Sequence, residues 1–352
     1  MKKWISVVLA LAMVLSMASY AFADEAKIGN LGAGIYSDKD DFNTYIASAI
    51  VSKAAGLVNI TNVDSGANNQ ATQNDQVDAW IAKGADVIAL SVVDTAAAEG
   101  LIQKCVNANN LPVVFFNKVI TDADIINAYD RVYQVTSTTG SYGADIEAKI
   151  MVDAWQTGTF DKNGDGKMQV LMLRGDANHT ATEPRANGVY DTLTAAGVNY
   201  DILADDYGDW DTTTAKEKMD SWISKFGDEV EFIVCANDAM ALGALQSIQA
   251  AGYNEEGSAS AKYIPIVGID ALPSVLDLID TGAIYASVLQ DSATQGWLVD
   301  QIAYNMVNNL DVKTGIDLEG MNIQYDETTK TFMVPYAAIG KDNLADAVAA
   351  YQ

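Results

Sequence analysis

The sequence predicts an α/β fold of two Rossmann-like, doubly wound parallel-sheet lobes joined by a short multi-strand hinge. Three observations predict it. Short apolar runs alternate with longer amphipathic stretches along the whole chain, the pattern of repeated strand-helix-strand units. There are too many such strands for one open sheet. Planar hydrogen-bonding side chains recur directly after the strands, where open parallel sheets bind their ligands.

The strand-like runs are 27–35, 57–62, 86–91, 111–116, 131–135, 168–174, 199–204, 231–236, 263–269 and 284–289. Helical stretches lie between them at 69–83, 95–108, 139–157, 211–225 and 239–251. Gly84 stands at the cap position after the first of these. A helix-like segment at 292–309 and two runs at 321–326 and 331–336 follow the last strand. They read as hinge crossings plus completing strands. The expected division gives 24–135 with about 291–326 to an N-terminal lobe, and 136–290 with about 327–352 to a C-terminal lobe. No Pro- or Gly-rich linker separates them, so short crossings are expected.

The first 23 residues read as a cleaved secretory signal. Lys2 and Lys3 precede an uncharged apolar run, Ile5 to Met17, and Ala21-Phe22-Ala23 precedes Asp24. The apolar run is short for a membrane span, and no cysteine follows it, which argues against a lipid anchor. The formal net charge is -26. So acidic a chain repels phosphate backbones, which makes nucleic acid an unsuitable partner. Cys105 and Cys235 both sit in apolar runs and read as buried free thiols.

The polar residues after strands form a consistent set. Asp40 and Phe42 follow the first strand, Asn117 the run ending at Phe116, and His179 and Arg185 the run ending at Arg174. Asn237, Asp270 and Gln290 follow three later runs, and Trp210 precedes a helix. Asp, Asn, Gln and Arg can each bridge adjacent hydroxyls. Phe42 and Trp210 can face the C–H faces of a sugar ring. Taken singly, each is weak: an Asp at a strand end is commonly a helix N-cap, and Asp238 and Asp211 read that way. His179 is the sole histidine, so a histidine metal cluster is ruled out. The joint placement points to a polyhydroxylated ligand.

The segment 161–169 matches the opening of a calcium-binding loop. Asp161, Asn163, Asp165, the Lys167 carbonyl and Gln169 supply oxygen at alternate positions, which suits a hard cation. Position 12 is Met172, which cannot be the bidentate acid, and the following residues read as a strand. A decorated surface turn is the plain alternative.

These stretches, with residues 74–78, 112–118, 210–212, 237–241, 268–273 and 341–344, resemble the periplasmic galactose/glucose-binding receptors of ABC importers, within the type 1 periplasmic binding proteins. The resemblance spans the mature chain. It implies a monomeric periplasmic receptor whose ligand is a monosaccharide, whose partner is an ABC permease, and for which a chemoreceptor is a second partner. It implies that Phe42 and Trp210 sandwich a pyranose, and that Asp40, Asn117, His179, Arg185, Asn237 and Asp270 bind its oxygens. It also implies that Glu231 completes a structural Ca2+ site with the 161–169 loop. Two positions depart from the family. Ala181 replaces an aspartate at the anomeric end of the sugar, and Gln290 replaces an asparagine. Glu183 or a water is one replacement for the lost carboxylate; a 1-O-substituted sugar such as a methyl galactoside is another. A pentose receptor is the nearest rival. A glycosidase would need paired carboxylates, with Asp40 and Asp270 as suspects, but neither has an obvious apolar setting and no histidine pairs with a Ser or Cys nucleophile. A sugar-responsive repressor would carry a basic helix-turn-helix before residue 27, where the signal stands instead.

Overall fold

The computed structural model describes residues 26–351; the secretory signal expected at 1–23 lies outside the described residues. The first lobe is built on β1 (Gly29–Ile35), β2 (Val58–Asn59), β3 (Asp64–Ser65), β4 (Val87–Leu90), β5 (Val113–Phe116) and β6 (Val132–Ser137). Helices α1 (Asp41–Lys53), α2 (Gln70–Ala82), α3 (Ala98–Asn107) and α4 (Ala123–Asn127) connect them. The second lobe carries β7 (Met168–Arg174), β8 (Tyr200–Tyr207), β9 (Phe232–Cys235), β10 (Ile266–Val267) and β11 (Ser287–Gln290). Its helices are α5 (Ala144–Trp155), α6 (Thr182–Ala195), α7 (Thr212–Phe226), α8 (Asp238–Ala250) and α9 (Pro273–Thr281). The chain then returns through α10 (Ser292–Val307), β12 (Gln324–Asp326) and β13 (Thr331–Val334), and finishes with β14 (Tyr336–Ile339) and α11 (Leu344–Ala349).

The first sheet runs β12-β13-β6-β5-β4-β1-β2, with β3 beside β1; only β12 is antiparallel to its neighbour. The second runs β10-β9-β7-β8 and is parallel throughout. Bridges Val267–Ala286 and Asp270–Leu289 bring β11 against its β10 edge, and β14 pairs antiparallel with β11. The α/β class read from the pattern is therefore the observed one.

Both sheets are covered on both faces, because adjacent residues of a strand point to opposite sides. Val114 and Phe116 pack with Ile46, Ile50, Leu298 and Ile302, while Val113 and Phe115 pack with Leu101, Ile102 and Ile126. In the second lobe Phe232 and Val234 take one face of β9, and Ile233 and Cys235 the other. Such strands read as continuous apolar runs without alternation. Cys105 and Cys235 are free and buried, and burial pushes the Cys105 thiol up to about 12.

The chain passes between lobes three times: between Ser137 and Ala144, between Gln290 and Ser292, and between Val334 and Tyr336. The last crossing corrects the expected division at about 326/327. Residues 331–334 remain in the first lobe, where β13 runs parallel to β6 and Phe332 and Val334 close that core with Val135. The strand β14 was absent from the sequence expectation, since its Tyr336, Ala337, Ala338 and Ile339 show no apolar alternation. Of the run expected at 57–62 only Val58–Asn59 forms a strand, β2, and β3 follows outside it.

One buried group tests the first lobe's interior. Asp300 on α10 is fully buried, and neither carboxylate oxygen has a hydrogen-bond partner. Burial pushes its carboxyl up to about 9. Its pKa is thus higher folded than unfolded, so the native state binds the extra proton and stability falls as pH rises from about 4 towards 9. Asp300→Asn should melt close to wild type near pH 4 and about 5 °C or more above it at pH 9. Equal melting temperatures across that range would show that the carboxyl is not buried as described.

Candidate functional site

The lobes face each other with the carboxyl ends of their strands, and a small cavity lies between them. All nine sequence-selected ligand residues line it: Asp40, Phe42, Asn117, His179, Arg185, Trp210, Asn237, Asp270 and Gln290. Thr136, Tyr142 and Ala181 complete the wall. The first lobe supplies Asp40 and Phe42 from the start of α1, Asn117 from the end of β5 and Thr136 from β6. The second supplies His179 and Arg185 from around the start of α6, Trp210 before α7, and Asn237, Asp270 and Gln290 after or at the ends of β9, β10 and β11.

Several of these residues hold left-handed backbone. Asn117 has φ 64°, Tyr142 φ 51°, Trp210 φ 60° and Asp270 φ 123°. Such conformations cost on the order of 1–3 kcal/mol each and persist where the surroundings enforce them. Gly175 is part of that enforcement. A Cβ there would stand 1.9 Å from the Trp210 ring, so only glycine lets the indole reach its seat. Sequence reasoning missed Gly175 and Tyr142. Gly140 and Gly143 around Tyr142 were the one local sign of a special turn.

The polar groups differ in how far they are committed. Asp40 caps α1: its carboxylate accepts from Phe42 N at 3.0 Å, Asn43 N at 3.4 Å, Asn43 Nδ2 at 2.8 Å and the Tyr36 hydroxyl. Asp40 thus faces the cavity with its acceptor capacity already engaged, so the helix-cap alternative holds for it as a finding. Asn237 caps α8 through Oδ1, accepting from Met240 N at 3.0 Å, and its Nδ2 donates to Trp210 O at 3.4 Å.

His179 Nδ1 accepts the Ala181 backbone N–H at 3.1 Å, which leaves the proton of the neutral ring on Nε2. That Nε2 lies 3.5 Å from Asn117 Oδ1, across the lobe boundary. Burial, and then the Lys118 and Arg185 charges, hold the imidazole well below its usual pKa, so it is neutral. Asp270 has Oδ2 buried without a partner, and burial pushes its carboxyl well up although the Arg185 charge opposes this. Trp210 Nε1 is likewise buried and unpartnered, with the His179 ring edge-on at 5.2 Å. A cavity walled by such groups selects a ligand that hydrogen-bonds to them, since each one left unpaired costs about 1–3 kcal/mol.

Ala181 is buried in the wall. Glu183 does not replace the family's aspartate: it accepts from Arg174 Nη1 at 2.7 Å and from the Tyr207 hydroxyl at 3.0 Å, outside the cavity. Gln290, one methylene longer than asparagine, accepts from Arg185 Nη2 at 2.8 Å through Oε1.

The 161–169 segment sits at the opposite end of the second sheet and runs into the start of β7. Asp161 accepts from Gly164 N at 2.8 Å and Gly166 N at 3.0 Å, and both glycines take positive φ, 73° and 72°. The Glu231 carboxylate accepts from Lys162 N at 2.7 Å and Gln169 N at 3.2 Å, which ties it to both ends of the loop. Gln169 Oε1 is buried with no partner. Every donor present is a hard oxygen, which fits Ca2+. No three Asp, Glu, His or Cys side chains among the described residues converge tightly enough to hold a metal alone. A cation would therefore also need Asn163, Gln169 and the Lys167 carbonyl.

The family model for the periplasmic binding protein domain matches residues 34–311. The chain belongs to the periplasmic binding protein family. A D-galactose/methyl-galactoside binding periplasmic protein of Haemophilus influenzae is 35% identical over 341 residues, covering 96% of each chain. A xylitol-binding protein of Mycolicibacterium smegmatis is 28% identical over 84% of this chain and 76% of its own. A solved ABC transporter solute binding protein from Bacillus halodurans, with bound myo-inositol, superimposes with a TM-score of 0.72 at 20% identity, covering 94% of this chain and all of that one. As a member of this family, the protein is an extracytoplasmic solute receptor and not an enzyme. Among the described residues no helix is long and apolar enough to cross a membrane.

Proposed function

We propose that this receptor closes on a hexopyranose, of the galactose or glucose type, and presents it to an ABC permease. The observation that carries this is the pairing of Phe42 and Trp210, from opposite lobes, in one cavity with Asn117, His179, Arg185, Asn237 and Asp270. A pyranose has two apolar C–H faces and a rim of hydroxyls, and the wall offers rings for the faces and two-atom polar groups for the rim. Because the contacts come from both lobes, the ligand favours the closed state over an open one. Micromolar affinity needs about -8 kcal/mol, within reach of two stacked rings and several paired hydroxyls after ordering costs.

The similarity to a galactose/methyl-galactoside receptor supports the sugar class, while the xylitol and myo-inositol receptors show that the fold serves other polyols. One observation favours a narrower choice. Ala181 stands in the wall at the position where the resemblance implies an aspartate at the anomeric end of the sugar, and Glu183 is turned outside. A methyl galactoside would place its methyl group against Ala181 without burying an unpaired donor. Residues 161–169 and Glu231 would hold a structural Ca2+ through Asp161, Asn163, Asp165, the Lys167 carbonyl, Gln169 and Glu231, pinning the edge of the second lobe far from the cleft.

Calorimetric titration with galactose, glucose, methyl galactoside and ribose tests the ligand class. Binding of at least one hexose, ribose much weaker, and about 100-fold loss in Trp210→Ala are expected. Unchanged affinity in that variant would remove the stacking role. Chelation of calcium should lower the melting temperature of wild type by about 5 °C and leave that of Glu231→Ala where it is. Equal sensitivity in both proteins would eliminate the six-residue site.

A further inference from the structure

Arg185 touches more than the cavity. Its Nε donates to Tyr142 O at 3.2 Å, and Nη1 to Ala236 O at 2.5 Å. Nη2 donates to Gln290 Oε1 at 2.8 Å and to the Tyr336 hydroxyl at 3.2 Å. Three of these partners sit on the three interlobe crossings. Tyr142 lies within the first, Gln290 opens the second and Tyr336 closes the third. The fourth, Ala236, precedes the ligand-facing Asn237. A guanidinium has five N–H donors, so four are engaged by the protein and one, on Nη1, remains for a ligand.

Tyr336 is outside the cavity wall, and nothing in the ligand site requires it. Its ring lies over Gly143, where a Cβ would come within 2.9 Å, and Gly143 itself has φ 87°. The first and third crossings therefore interlock through the Tyr336 ring and are joined to the second through its hydroxyl and Arg185. The backbone repeats the link. Thr138 N donates to Val334 O at 2.9 Å between the first and third crossings, and the antiparallel β11–β14 pairing sets Gln290 of the second crossing opposite Tyr336 of the third.

We infer that Tyr336 is a positioning residue that holds Arg185 against all three crossings, so that engagement of the guanidinium in the cavity is transmitted to the hinge. This rests on the cavity being the ligand site, as proposed above. Tyr336 makes no ligand contact. It fixes the direction of the remaining Arg185 donor and makes that direction depend on the crossings' positions. A ligand that binds the donor biases the hinge, and by linkage a hinge held closed tightens the ligand.

Tyr336→Phe keeps the ring on Gly143 and removes only the hydroxyl. Amide hydrogen exchange on the ligand-free protein tests the tie itself. Exchange around Thr138 and Gln290 should accelerate roughly tenfold, with the β4 and β5 amides unchanged. Galactose affinity should fall roughly tenfold while the ligand-free melting temperature stays within about 2 °C of wild type. Tyr129→Phe is the control: its hydroxyl donates to Leu111 O at 3.2 Å inside the first lobe, and neither readout should move. Unchanged exchange at Thr138 and Gln290, or acceleration confined to the third crossing, would overturn the inference. Accelerated exchange with unchanged affinity would overturn its transmission to the site. If wild type binds no hexose, the proposed ligand class fails, and the ligand-free exchange still decides the tie.

Discussion

The buried guanidinium of Arg185 is the group around which the two lobes are organised. A cation taken out of water must recover its hydration from fixed acceptors, and the cost of leaving it unpaired is several kcal/mol. Here the acceptors are two backbone carbonyls, a glutamine amide and a tyrosine hydroxyl, with no carboxylate in direct contact. Asp270 lies close enough to feel the charge and still has a free oxygen. Arg185 is therefore held without being neutralised, and both charge and geometry remain available at the cavity. Neutral His179, proton on Nε2, gives the same wall a donor that bridges to the first lobe.

Stability and function are divided between different parts of the molecule. Each sheet has a core on both faces, so each lobe is held by its own apolar packing. The surface between the lobes is polar, and four residues of its cavity wall, Asn117, Tyr142, Trp210 and Asp270, hold left-handed backbone. Rigid lobes make that strain affordable, and short crossings limit the relative motion to a hinge. The 161–169 loop and Glu231 lie at the far end of the second sheet, where a bound cation would stiffen the lobe without touching the ligand.

Much of this was legible in the sequence because parallel strands are buried on both faces and read as apolar runs, and because their carboxyl ends point to one side. Asn117, Asn237, Asp270 and Gln290 could be placed from that rule alone, and the structure brings all of them to one cavity. What was not legible depends on contacts distant in sequence. Asp40 was selected as a ligand group, yet Tyr36 and Asn43 occupy its carboxylate. Gly175 matters only because Trp210, 35 residues later, needs the space. Residues 331–334 were placed too early in the second lobe, since their partner β6 lies almost 200 residues before them. Tyr336 showed no signal, because its role is set by Gly143 and Arg185, not by its neighbours.

A ligand held by both lobes should draw them together. Small-angle scattering with and without the hexose that calorimetry finds to bind measures this directly. The ligand-free protein should be the more expanded form, with a radius of gyration falling by about 1 Å on saturation. An identical radius of gyration in both states would contradict closure by the ligand.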